Sequence, residues 1–236
     1  MNLSNGFFWS RHFREVFEPQ VSSVLALLEG RLLPTFGKLE TEAEEATQAE
    51  WDRLMSMSGP EDADMGDLAE TAYDAGIAHF SMMTGLQQGL QNLFSVSLHH
   101  LFEQQAFIFL RKEVLDTSED GDAQLFKTSV LRKRLKDYGI DIGAFRCWPV
   151  VDELRLVANT VKHTEGDSAF KLFKLRPDLF SPSNSVFEKS PWPKASARVY
   201  SPLMGEDIYI TTEQLKIYAA AVTDFWQEMA VSMTSA

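Results

Sequence analysis

Between Asp67 and Leu115, apolar residues recur every three or four positions and no proline interrupts the run. An α-helix turns once in about 3.6 residues, so this spacing places the apolar side chains on one face of a single long helix. The recurring residues are Ala72, Ala75, Phe80, Met83, Leu86, Leu90, Leu93, Leu98, Leu101, Phe107, Ile108 and Val114. Glycine destabilises a helix interior by about 1 kcal/mol relative to alanine, so we expect Gly85 and Gly89 to bend this helix.

The same periodicity predicts further helices on both sides of the long one. They cover about residues 10–36 with a break at Pro19, 40–57, 125–137, 149–163, a short stretch from 167 that Pro177 ends, and 211–233. Regular alternation of strands and helices is absent, which argues against a nucleotide-binding parallel sheet. The sequence therefore predicts an all-α helical bundle with one long bent helix, in a single domain spanning residues 1–236.

Residues 177–205 differ in character from the rest of the chain. Five prolines lie here among serines and lysines, which predicts a long Pro-rich loop. Val199–Tyr200 and Ile208–Ile210 are candidates for a small β-hairpin near the C-terminus. The helix after them is predicted to begin at Thr211, where Gln214 completes a capping box.

Composition limits the class of protein. Hydrophobic residues make up 44% of the chain and charged residues 24%, values that are typical of globular proteins. No apolar run approaches the roughly 20 residues that span a bilayer, and the N-terminus lacks the features of a secretory signal. Cys147 is the single cysteine, which excludes an internal disulfide and a cysteine zinc cage. We therefore expect no membrane association and a cytoplasmic location.

The net charge of −12 is unevenly distributed. Residues 38–74 hold twelve Asp/Glu against two Lys/Arg, whereas residues 127–176 hold eleven Lys/Arg against six Asp/Glu. A uniformly acidic surface would repel a phosphate backbone, but this chain can still present a local basic surface. Both stretches can also be ordinary solvated helix faces.

Several familiar catalytic and binding motifs are missing from the sequence. It has no glycine-rich phosphate loop, no His-Glu-x-x-His and no Gly-x-Ser-x-Gly. His99 and His100 are adjacent, so on a helix they diverge by about 100° and do not face one metal. We expect no metal and no cofactor, and we interpret Cys147 as a buried packing residue.

The helix predicted from Pro149 carries two opposite faces. Val150, Leu154, Val157 and Val161 form its packing stripe. The other face carries a carboxylate, a guanidinium, an amide and an imidazole, from Asp152, Arg155, Asn159 and His163. Histidine transfers protons near neutral pH and arginine holds phosphate, so this face is the candidate site. The alternative is a solvated face on which Asp152 pairs with Arg155 at i, i+3.

Residues Glu153–Gly166 (ELRLVANTVKHTEG) resemble the signature stretch of HEPN-type helical proteins. In that family a helix carries an arginine, usually followed by an asparagine, and a histidine a few residues later. Leu93–Glu103 is similar to the long family helix that ends in an aromatic–acid pair. A basic helix and the turn Arg146–Trp148 then precede the motif helix in the family's order. The resemblance covers about residues 85–176 and implies a HEPN-like core over about residues 65–176.

The resemblance implies an all-α bundle that often forms a homodimer through its motif helices. Active members cleave RNA without metal, and many belong to toxin–antitoxin or anti-phage systems. Carried over, Arg155, Asn159 and His163 are the catalytic candidates. Lys162, Asp152 and Glu103 are the substrate-binding candidates.

The arginine departs from the family's pattern. The family usually places it directly before the asparagine, where this chain has Ala158. Arg155 lies one turn earlier, with seven residues between it and His163. Because positions 155 and 159 share a helix face, Arg155 either reaches the same cleft or marks an inactive site.

Two hypotheses remain open. In the first, the chain is a metal-independent ribonuclease in which His163 transfers protons, Arg155 holds the phosphate and Asn159 orients the histidine. In the second, the chain is a non-catalytic interaction module whose polar face contacts a second copy or a protein partner. Convergence of the three residues in a basic cleft would favour the first.

Overall fold

A computed structural model of the chain describes residues 5–57, 64–119, 125, 127–181 and 198–235. These residues form an all-α bundle that contains one long bent helix and, over the described ranges, no β-strand. The predicted fold class is thereby confirmed. No helix among the described residues is both long and apolar enough to cross a bilayer.

The first helical stretch runs from Gly6 to Phe36 as several segments in series. Helix α1 spans Gly6–His12 and α2 spans Glu18–Leu27. Widened π-helical turns follow each of them, and a 3₁₀ turn ends the stretch. Pro19 lies at the start of α2, directly after the first π turn, so the predicted break is a change of helix type.

Helices α3 (Leu39–Met57) and α4 (Met65–Phe109) pack against each other as an antiparallel pair. Their backbones approach closely at Gly76, where an added Cβ would lie 2.0 Å from Oγ1 of Thr47. Helix α4 contains 45 residues and continues as a π turn to Val114, which confirms the long helix predicted from its spacing.

The remaining helices complete the bundle around the C-terminal part of α4. They are α5 (Thr128–Asp137), α6 (Trp148–His163), α7 (Asp167–Leu175) and α8 (Thr212–Ser235). Each agrees with its predicted position to within a few residues. Thr211 caps α8 by accepting a hydrogen bond from the Gln214 backbone N–H at 3.1 Å, as the capping box predicts.

The core lies where α1, α2, α4, α6 and α8 meet. Trp226 is fully buried at its centre, with the Phe13 ring 4.7 Å and the Phe17 ring 4.9 Å away between centroids. Its indole N–H donates to the buried Gln105 side chain at 2.7 Å, which satisfies the polar end of the ring. The apolar residues that recur along α8 at helical spacing form its packing stripe and are all buried: Leu215, Tyr218, Ala219, Val222, Phe225, Trp226 and Met229.

The predicted β-hairpin is wrong. Residues 199–200 and 208–210 have no strand structure. Side chains satisfy backbone groups that a hairpin would have paired: Asp207 accepts from the Tyr200 N–H at 2.8 Å, and side chains of α4 bond the second segment. Asn92, fully buried, donates to Ile208 O and accepts from Ile210 N at 2.9 and 3.2 Å. Gln88 donates to Ile210 O at 2.9 Å.

The glycines of α4 have a role that the sequence did not reveal. A Cβ at Gly89 would lie 2.0 Å from the Leu203 carbonyl oxygen, and one at Gly85 would lie 2.6 Å from that of Met204. They let the turn Pro202–Met204 rest directly on the helix. Most of the predicted Pro-rich loop, residues 182–197, lies outside the described part of the chain.

Candidate functional site

Helix α6 is buried on most of its circumference by α4, α7 and α8. Its buried residues are Val151, Leu154, Leu156, Val157, Ala158, Thr160 and Val161. The predicted packing stripe is confirmed at three of its four positions, and Val150 is half-buried. The polar positions that remain accessible form a strip along the helix, here called the α6 strip: Asp152, Arg155, Asn159, Lys162 and His163.

A carboxylate from α8 fixes the start of α6. Glu228 accepts hydrogen bonds from the backbone N–H groups of Arg146 and Cys147 at 3.0 and 3.2 Å. Negative charge at a helix N-terminus is favourable, because the free N–H groups carry partial positive charge there. Helix α6 ends after His163, where Thr164 adopts a positive φ of 59°.

Within the α6 strip, Arg155 Nε donates to Asp152 Oδ1 at 2.8 Å. Both side chains are partly exposed, at 38% and 42%. The i, i+3 pairing expected for a solvated face is therefore present. Asn159 is half-buried and His163 is exposed, and neither side chain has a hydrogen bond or ion pair with any part of the chain that the structure describes.

Helix α4 contributes two further polar groups on the side that packs against α6. His99 is 3% exposed, and its Nδ1 lies 3.4 Å from Oε2 of Glu103. That contact is within ion-pair range, but its geometry is not that of a hydrogen bond, so Nδ1 remains unsatisfied. His100, one residue along and exposed, has its Nδ1 3.7 Å from the same carboxylate oxygen.

The environment of His99 keeps the ring neutral. Burial, followed by the positive charges of Lys162 and Arg155, lowers the pKa of His99 to about 4, whereas the charge of Asp152 acts in the opposite direction. The α6 strip and the α4 imidazole thus influence each other across the interface of the two helices. From the sequence, His99 was interpreted only as one of two adjacent histidines that do not face one metal. Its i, i+4 relation to Glu103 was the signal that both lie on one face.

Ala158 occupies the position at which the resembled family usually has its arginine. In this chain it is 0% exposed, between the buried Val157 and the half-buried Asn159. A guanidinium there would be driven into the core, where an unpaired charge is strongly unfavourable. If α6 has a phosphate-binding arginine, that residue is therefore Arg155.

A second polar cluster, which was not predicted from the sequence, is centred on Glu153. Its carboxylate, 12% exposed, accepts from Arg176 Nη1 at 2.6 Å and from the Tyr218 hydroxyl at 2.7 Å. Arg176 also pairs with Asp178, and burial together with the Glu153 charge raises the pKa of Tyr218. These groups join α6, the end of α7 and α8. The partners are 23 and 65 residues apart from Glu153, so helical spacing could not reveal them.

A groove of about 860 Å³ runs between α8 and the start of α6. Its lining includes Cys147, Asp224 and Glu228 and none of the α6 strip. Burial, followed by the charge of Glu228, raises the pKa of Cys147 to about 12. Cys147 is therefore a protonated thiol at neutral pH, which agrees with its interpretation as a packing residue.

Among the described residues, no three His, Cys, Asp or Glu side chains converge as a metal site would require. Comparison of the chain with protein-family models, curated protein sequences and solved structures finds no match.

Proposed function

We propose that this chain is a HEPN-like, metal-independent ribonuclease whose site is the α6 strip together with the facing part of α4. The observation that supports it most is that Asp152, Arg155, Asn159, Lys162 and His163 remain accessible together along one strip of α6. Cations, a carboxylate and imidazoles are the groups that phosphodiester cleavage uses. The resemblance to HEPN proteins suggests a toxin–antitoxin or anti-phage setting.

The proposed reaction uses the ribose 2′-hydroxyl as nucleophile. Its oxygen attacks the adjacent phosphorus, the bond from phosphorus to the 5′ oxygen breaks, and the products are a 2′,3′-cyclic phosphate and a 5′-hydroxyl. One group accepts the 2′-hydroxyl proton and another donates a proton to the leaving 5′ oxygen. His163, exposed at the end of α6, performs one of these transfers, and Asn159, one turn earlier, orients it.

Arg155 would hold the scissile phosphate. A planar guanidinium offers two parallel N–H donors to phosphate, which a lysine does not. Its pairing with Asp152 competes with this role, since one carboxylate oxygen already accepts from Nε. The other guanidinium nitrogens remain for a phosphate. Asp152→Asn should therefore strengthen RNA binding, whereas Arg155→Lys should weaken it and Arg155→Ala should weaken it more.

The test is cleavage of labelled single-stranded RNA by purified protein in EDTA. We expect wild-type cleavage to persist, Arg155→Ala to lose it, and DNA of the same sequence to remain intact because it lacks the 2′-hydroxyl. Cleavage of DNA, or activity that EDTA abolishes, would contradict the mechanism.

A second candidate function is a non-catalytic helical interaction module. The Asp152–Arg155 pair and the buried Ala158 favour it, because together they leave the strip without an unpaired arginine. If wild-type protein cleaves none of a varied set of RNAs, this candidate replaces the first.

The first candidate, and the form of the second that contacts another copy, include a homodimer that completes the α6 strip. Light scattering at micromolar protein concentration should give twice the mass of the chain. A strict monomer would count against the shared site.

A further inference from the structure

Helix α3 and the first part of α4 form a pair, here called the arm, that presents an apolar surface. Tyr73, Ile77 and Phe80 of α4 follow one another at i, i+4 and i+7 and so lie on one face. Their exposed fractions are 63%, 48% and 40%. Large aromatic and aliphatic side chains exposed together on one helix face are typical of an interface.

Acidic side chains border this apolar surface. Glu70 and Asp74 are exposed on α4, and by helical periodicity they flank Tyr73 and Ile77. Residues 38–74 carry a net charge of −10. Two such surfaces would repel each other, so the arm does not suit a second arm. It suits a partner that is apolar and basic.

Helix α7 provides such a surface. Ala169 and Leu172 face the core, and the outer side exposes Phe170 and Leu175, at 54% and 56%. Lys171 and Lys174 are exposed beside them. The Lys174 ammonium lies 4.3 Å from the Phe170 ring centroid, so charge and apolar area occur together. Asp167, in the first turn, is the one acid of this helix.

We propose that the arm of one copy docks on the outer face of α7 in a second copy. The apolar side chains of the two surfaces pack together, and Glu70 and Asp74 face Lys171 and Lys174. Two identical contacts related by a two-fold axis close the dimer. The proposed function includes a homodimer that completes the α6 strip, and this inference adds the arm–α7 contacts that would hold the two copies together. It does not require that the protein cleave RNA.

Charge reversal tests the interface. Variant A carries Lys171→Glu with Lys174→Glu, and variant B carries Glu70→Lys with Asp74→Lys. Like charges then face each other in either homodimer, so we expect each dissociation constant to rise at least about tenfold. An equimolar mixture of A and B places opposite charges at both contacts. We expect it to form heterodimers with nearly wild-type affinity, measured by sedimentation velocity.

The matched control is Lys133→Glu, which reverses an exposed charge on α5 and should leave the dimer intact. Ile77→Ser should weaken the dimer without changing any charge, and circular dichroism would show that each variant is folded. A monomeric wild type, reversals that leave the mass unchanged, or a mixture that stays monomeric would overturn the proposal. So would loss of RNA binding by variant A with an intact dimer, since α7 would then be an RNA surface.

The test separates this inference from the proposed function. Rescue of the dimer by mixing, without RNA cleavage by wild type, would support the interface and reject the enzyme. RNA cleavage by a dimer that resists both reversals would support the enzyme and reject the interface.

Discussion

His99 of α4 is buried and has an unsatisfied ring nitrogen. Its ring interacts electrostatically with two cations of α6, Lys162 and Arg155. Its folded-state pKa of about 4 lies below the ordinary value of 6.5. Between these values the unfolded chain binds a proton that the folded chain does not. Stability therefore decreases as the pH falls through this range, and below about pH 4 the contribution changes no further.

We expect this single group to lower the free energy of unfolding by on the order of 3 kcal/mol between pH 7 and pH 4. His99→Gln removes the titration and keeps a polar side chain. Urea unfolding at several pH values would measure the difference between wild type and variant. Parallel pH profiles for the two proteins would show that His99 is protonated equally in both states.

At Ala158 we expect that restoring the family's arginine destabilises the protein. Ala158→Arg forces a guanidinium into a position that is 0% exposed, which should lower the unfolding free energy by several kcal/mol. Asn159→Arg, at the half-buried neighbouring position, is the matched control and should change stability little. Thermal melts of both variants measure the difference in stability. Equal melting temperatures would mean that α6 is rotated relative to the structure described here.

At the scale of elements, close packing depends on glycine in α4. Gly89→Ala places a methyl group 2.0 Å from the Leu203 carbonyl oxygen, so the turn Pro202–Met204 must move. We expect a loss of about 1–3 kcal/mol, as for other overpacked sites. Gly30→Ala, where nothing lies within 4 Å, should be neutral or slightly stabilising. Chemical denaturation compares the two, and equal stability would contradict the close approach.

Helix periodicity predicted most elements well because α1, α2, α4, α5, α6, α7 and α8 each place apolar residues in the core, whereas α3 packs against α4 outside it. The long α4 and the packing stripe of α8 were predictable for this reason. A β-hairpin was predicted because Val199–Tyr200 and Ile208–Ile210 have the composition of strands. The prediction failed because Asn92 and Gln88, both on α4, bond the backbone of the second segment. Such long-range side-chain contacts leave no periodic signal.

The candidate site was predictable only in part. Asp152, Arg155, Asn159 and His163 were identified because they share one face of one helix. The position of His99 beside them, and the Glu153–Tyr218 contact on the other side of α6, depend on how three helices pack. Local sequence does not contain that information.

Over the whole molecule, acidic and basic residues are concentrated in different parts of the chain. The arm concentrates the acidic residues, and the segment from α5 to α7 concentrates the basic ones. An RNA-binding site on α6 would lie within the basic part, where a net charge of −12 for the whole chain does not prevent approach of a phosphate backbone. The arm would then contribute to assembly of the dimer.

If the α6 strip cleaves RNA, the cleavage rate depends on His163, and the variant His163→Ala gives the sharpest test. We predict that cleavage of single-stranded RNA in EDTA falls by at least about a hundredfold in this variant, the size of effect that general acid–base catalysis supplies. The control is Glu165→Ala, which removes an exposed charge two residues further along the chain and should retain the wild-type rate. Because His163 is exposed, its variant should also keep the wild-type melting temperature. Cleavage at the wild-type rate by folded His163→Ala would contradict the claim and would locate the activity elsewhere.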